Sequence, residues 1–129
     1  MNETSKLYFL VNWLVDGYNV ILADPILSKH FRNNQEAGRI EFVRQIGISE
    51  KLRRQRTVIV FDGKYSGSTD RLSPHVEVRF SAGRETADDL IKRLIGETRR
   101  RSSLTVVSND RSIIEYAKIC GAATMRFTL

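Results

Sequence analysis

Three apolar runs of this chain lead into an aspartate. Leu14-Val15 leads into Asp16, Val60-Phe61 into Asp62, and Val106-Val107-Ser108-Asn109 into Asp110. A fourth acidic group, Glu85-Thr86-Ala87-Asp88-Asp89, opens a helical pattern. Spacing of i, i+3 and i+4 lets one helix face present Glu85, Asp88 and Asp89 together. Carboxylates gathered in one place repel and raise one another's pKa. Their usual relief is a hard divalent cation with oxygen ligands, and Mg²⁺ needs only one or two direct carboxylates. Such a cation activates water and stabilises the leaving oxygen in phosphodiester cleavage. Each acid alone has a plainer use. An aspartate after a strand is an ordinary helix N-cap or turn residue. Asp88 and Asp89 suit the first turn of a helix, and Asp62-Gly63 is a turn dipeptide. The coincidence of three strand-end acids with an acidic helix start favours a metal site.

The charge balance points to the substrate. Lys and Arg number 21 and Asp and Glu 15, a net charge of +6. Setting the six candidate acids aside doubles that surplus, so an acidic hole sits in a basic surface. That pattern suits a polyanion held by its backbone. Lys64, Arg71, His75, Arg84 and Arg111 are nearest the acids in sequence and are the expected phosphate contacts. The clusters at Lys51–Arg56 and Arg99–Arg101 fall at helix ends, where cations simply favour the dipole. Tyr18 either stacks on a base or packs in the core. Asn19 either holds Asp16 and a metal water in place or caps the next helix. Ser108 and Asn109 either orient Asp110 or shape its turn.

Other chemistries are excluded. One cysteine rules out an internal disulfide framework, and with two histidines it rules out a Cys/His zinc site. Cys120 reads as a small core residue. A reducing, cytoplasmic setting is the simplest. Leu7–Val15 is too short for a membrane span and lacks the marks of a signal peptide.

The elements that must position these residues alternate. Leu7–Val15, Thr57–Phe61 and Leu104–Val107 read as buried strands, and Ala122–Phe127 as a last strand. Val76–Phe80 alternates apolar and charged residues, as in a half-exposed edge strand. Helical patterns cover Val20–Leu27 with an interruption at Pro25, then Glu36–Arg54, Glu85–Arg101 and Arg111–Cys120. Gly63–Pro74 is polar and reads as a loop. Strands alternating with helices predict an α/β fold with a mostly parallel sheet. In such sheets ligands bind outside the carboxyl ends of the strands, where Asp16, Asp62 and Asp110 fall. Residues 1–129 form a single expected domain, with 1–6 frayed.

The ordered set Val15-Asp16-Gly17-Tyr18-Asn19-Val20-Ile21, Val60-Phe61-Asp62-Gly63, Phe80-Ser81, Glu85-Thr86-Ala87-Asp88-Asp89 and Ser108-Asn109-Asp110-Arg111 resembles the NYN domain, in its YacP-like branch. NYN domains belong to the PIN-like nuclease superfamily. The resemblance implies a three-layer α/β/α sandwich with strand order 3-2-1-4-5. It also implies metal-dependent endoribonuclease activity. Asp16, Asp62, Asp88 and Asp110 match the family's acidic positions, and Glu85 resembles the acid before the helix aspartate in related flap nucleases. Many NYN domains carry a further aspartate where this chain has Ser112.

The expected function is therefore hydrolysis of RNA by a metal-activated water. Asp16, Asp62, Asp88 and Asp110 would hold one or two Mg²⁺ or Mn²⁺ ions, with Glu85 as a further ligand. The RNA is either free or presented by the ribosome or another ribonucleoprotein. The alternative is a non-catalytic RNA-binding or partner-docking module with the same fold. A haloacid-dehalogenase-like phosphatase is disfavoured, because Asp16 is followed by Gly17 and Tyr18 and not by a second aspartate two residues on. An exposed edge at Val76–Phe80 would allow a homodimer.

Overall fold

A computed structural model describes residues 11–49, 55–63, 69–71, 75–98 and 100–126, with the backbone alone at 69–71. The strands are β1 (Trp13–Asp16), β2 (Thr57–Phe61), β3 (Thr69–Arg71), β4 (Val76–Phe80), β5 (Thr105–Val107) and β6 (Ala123–Met125). The helices are α1 (Gly17–Ala23), α2 (Pro25–Asn33), α3 (Gln35–Ile48), α4 (Ala87–Glu97) and α5 (Arg111–Ile119). They build one sheet of order β3-β4-β2-β1-β5-β6. Five strands are parallel and β3 runs antiparallel to β4. Counted in chain order, the parallel strands follow 3-2-1-4-5, the order that the resemblance implied.

The central strands are apolar on both faces because both faces are covered. Leu14, Val58, Val60 and Val106 enter a core with α4 and α5, built on Leu90, Ile91, Leu94, Ile95 and Ile113. Their neighbours Val15, Ile59, Phe61 and Val107 enter a second core with α1, α2 and α3, built on Val20, Ile21, Leu27, Phe42 and Val43. This two-residue alternation decides which layer each strand-end side chain faces.

Several element boundaries differ from the sequence expectation. Pro25 begins a helix and does not interrupt one. Asp24 accepts hydrogen bonds from the backbone N–H of Ile26 and Leu27 at 2.8 and 3.2 Å. A proline in the first turn lacks only an N–H that has no helical partner. The third helix ends at Ile48, and the expected continuation over 50–54 lies outside the described residues. β1 is described from Trp13; the earlier part of Leu7–Val15, residues 7–10, also lies outside them. Val76–Phe80 is not an edge strand. It pairs with β2 on one side and β3 on the other, and Val76, Glu77 and Val78 are buried. β3 lies within the expected loop Gly63–Pro74 and covers the edge that would have supported a dimer. No helix among the described residues is long and apolar enough to cross a membrane.

Candidate active site

Asp16 ends the central strand β1 and is 7% exposed. Leu14, two residues earlier, faces the α4–α5 layer, so the alternation turns Asp16 the same way. Asp88 lies in the first turn of α4, and Asp110 is the N-cap of α5. Three elements thus bring three carboxylates to the carboxyl edge of the sheet.

Ser108 ties two of them together. Its buried hydroxyl donates to Asp16 Oδ2 at 2.8 Å and accepts from the backbone N–H of Asp110 at 3.0 Å. Asn19 Oδ1 accepts from the backbone N–H of Asn109 at 2.6 Å, which joins the start of α1 to the β5–α5 turn. Asp110 Oδ1 accepts from Ser112 N–H at 2.8 Å. Asp110 both caps α5 and lies within the electrostatic reach of Asp16 and Asp88. Ser112, where the resemblance suggests a further acid, supplies that backbone donor.

The electrostatics show that the three acids share a field. Burial pushes the Asp16 carboxyl up to about 6, the Ser108 hydroxyl offsets part of this, and the charges of Asp88 and Asp110 push it further up. Asp88 is also raised, by burial and by Asp110. Among the described residues, no three His, Cys, Asp or Glu side chains are drawn tightly enough together to hold a metal ion. The donor set nonetheless fits one chemically. It is all oxygen, it gathers like charges, and its central member resists ionisation, which a hard divalent cation relieves.

Asp62 stands beside this trio in a different setting. It is exposed, and its Oδ1 accepts from the Ser81 hydroxyl at 2.9 Å. Ser81 is buried and accepts from Gly63 N–H at 3.2 Å. The β2–β4 register pairs Phe61 with Phe80 and so places Asp62 next to Ser81. Ser81 is thus a positioning residue. Its signal in the sequence was its place immediately after a strand, matching that of Asp62.

Other candidates are engaged elsewhere. Glu85 does not join the trio, because both its oxygens accept from Arg93 at 3.0 and 3.1 Å. Asp89 closes a capping box with Thr86, each side chain accepting from the other's backbone N–H at 3.1 Å. Tyr18 is half-buried, with its ring against Phe31 and Phe61 at 5.2 and 4.8 Å between centroids. Arg111 is exposed and pairs with Glu115 at 3.0 Å. His75 and Arg84 are exposed. Lys64 lies outside the described residues, and Arg71 is placed only by its backbone, opposite Glu77. The sequence reading missed Arg39, a half-buried cation beside Phe61 and Phe80.

The sequence model of the YacP-like NYN domain matches residues 13–127. This chain belongs to the YacP-like NYN domain family. It is 35% identical over 83 residues to the uncharacterized protein YacP of Bacillus subtilis (strain 168), covering 63% of this chain and 49% of that one. The chain therefore spans about half the length of this curated relative. Two crystal structures of Rae1 (YacP) from Bacillus subtilis share the fold. The W164L mutant superposes with a TM-score of 0.71 at 27% identity, over 88% of this chain and 68% of that one. The other gives 0.68 at 26%, over 88% and 67%. Membership of this NYN family places the domain among the PIN-like nucleases, whose members are typically metal-dependent.

Proposed function

We propose that this domain is an endoribonuclease that uses Mg²⁺ or Mn²⁺ to hydrolyse RNA phosphodiester bonds in the cytoplasm. One observation carries this reading: three carboxylates from β1, α4 and α5 share one field, and the most buried is pushed up to about 6. A hard divalent cation would relieve that repulsion. Asp16, Asp88 and Asp110 would hold the ion directly or through its waters, and Asp62, fixed by Ser81, would hold a second ion or a water. A bound divalent cation supplies a water of lowered pKa and positive charge at the leaving oxygen. The chain's own work is positioning. Ser108 fixes the Asp16 carboxylate relative to the start of α5, and Asn19 fixes the turn between them. The basic surplus of the chain attracts the RNA backbone. RNA in a ribosome or another ribonucleoprotein is a substrate of the same chemistry.

The test is cleavage of a labelled mixed-sequence RNA in Mg²⁺, Mn²⁺ or EDTA, beside Asp16→Asn and Asp88→Asn. The expected outcome is metal-dependent cutting by the wild type and a loss of at least about a hundredfold in either variant. Equal cutting by the variants overturns the assignment. RNA retained on a filter but never cut, free or on ribosomes, favours the binding-module reading instead.

A further inference from the structure

We propose that Arg39 is a phosphate-binding residue, anchoring the RNA backbone on the α3 side of the sheet's carboxyl edge; this rests on the ribonuclease reading above. Arg39 lies in the early part of α3 and is half-buried. Its guanidinium carbon sits 5.3 Å from the centre of the Phe80 ring and 6.0 Å from that of Phe61. Those rings stack on each other at 5.7 Å. They are the last residues of β4 and β2, immediately before Ser81 and Asp62. The guanidinium therefore rests on the strand ends that carry part of the acidic site.

Its position is built. Gly38, the preceding residue, lies so close to α2 that a Cβ there would meet the Phe31 Cα at 2.6 Å. This contact fixes α3 against α2 beside Arg39. The Tyr18 hydroxyl accepts from Arg39 at 3.4 Å, a weak bond that orients the group.

Among the described residues only Tyr18 accepts from Arg39. Among the described residues Arg44, Arg93 and Arg111 each pair with a glutamate, whereas no carboxylate lies within ion-pair distance of Arg39. Glu41, on the same helix, is taken by Arg44 and Gln45. A guanidinium carries five N–H donors in a planar fork that matches phosphate oxygens. With the aromatic pair beside it, the weakly bonded Tyr18 hydroxyl is the one side-chain acceptor that fork meets among the described residues.

The placement also sets the path of the substrate. Asp16 turns toward the α4–α5 layer, while Arg39 rises from the α1–α3 layer. The strand ends lie between them. An extended RNA backbone crossing this edge meets the carboxylates with one phosphate and Arg39 with another. A second cation at this edge offsets the repulsion between the acids and the incoming polyanion.

The test is equilibrium binding of a fluorescent single-stranded RNA, in EDTA and in Ca²⁺, across a salt series. Wild type is compared with Arg39→Gln and Arg39→Lys, and each variant is also melted. For Arg39→Gln the expected result is about tenfold weaker binding at low salt, from loss of a charge-assisted hydrogen bond. The slope of log affinity against log salt should shrink by about 0.7, one phosphate contact. Arg39→Lys should keep the slope and lose part of the affinity. Wild-type affinity and slope in Arg39→Gln, while the wild type binds RNA, overturn the assignment and leave the ribonuclease reading intact. A lowered melting temperature with an unchanged slope marks Arg39 as structural and also overturns it. No RNA binding by the wild type in either buffer overturns both readings.

Discussion

Ser108 gives Asp16 the donor that keeps a buried carboxyl tolerable, yet the residual cost is large enough to measure. Asp16 has a pKa near 3.8 when unfolded and about 6 when folded. Between those values the folded chain holds a proton that the unfolded chain has released. Stability therefore falls as pH rises through this window, reaches its full loss above about 6, and is unaffected below 3.8. A shift of about two units corresponds to about 3 kcal/mol. Asp16→Asn removes the charge and keeps an oxygen for Ser108. In EDTA at pH 7.5 the variant should be more stable than wild type by about 1–3 kcal/mol in urea unfolding, the range following from that shift. The two should converge near pH 4. A variant that is less stable at pH 7.5 would show that Asp16 is not strained in the folded chain. The same substitution is expected to lower cleavage by at least about a hundredfold, so stability and activity move in opposite directions, as is common where a site is built at the expense of the fold.

At the scale of elements, the site depends on how closely β1 and α1 approach β2. Gly17 begins α1, and a Cβ there would lie 2.4 Å from Cε1 of Phe61. Phe61 is fully buried and held by Tyr18 and Phe80, so it has little room to yield. Gly17→Ala should destabilise by about 1–3 kcal/mol through overpacking. Gly47→Ala is the contrast: that position is exposed in α3, and a Cβ there would meet no described atom beyond its own helix within 4 Å. It should stabilise by about 0.5–1 kcal/mol through helix propensity. Thermal melting of the two variants separates a steric role from a generic glycine effect. This pair also shows what the sequence could convey. Strands β1, β2 and β5 were legible because each is a short apolar run, and their terminal aspartates marked the edge of the sheet. The inner place of β4 was not, since its outer partner Thr69-Asp70-Arg71 has no apolar pattern. Strand order came from resemblance, because hydropathy carries no neighbour information. The diversion of Glu85 was hidden because Arg93 lies eight residues along, beyond the usual helical pair spacing. Arg39 was hidden because its partners come from three other elements.

For the whole molecule, the acids couple parts of the chain that local interactions leave separate. Asp16, Asp88 and Asp110 come from β1, α4 and α5, spread over most of the chain. In the unfolded chain they are far apart and hold no ion in common. A cation that binds only the folded arrangement must therefore stabilise the entire domain. At a hundred times its dissociation constant the gain is about 2.7 kcal/mol. For a domain of this size that is a rise in melting temperature on the order of 10 °C. Mg²⁺ or Mn²⁺ added to metal-free wild type should produce such a rise, saturating with concentration. Asp16→Asn should start higher in EDTA and gain little from metal, so the two melting curves approach as metal is added. Glu85→Gln should keep the full metal response, because Arg93 already occupies that carboxylate. A response in wild type that persists in Asp16→Asn would place the ion away from β1, and the shared field of the three acids would then need another purpose.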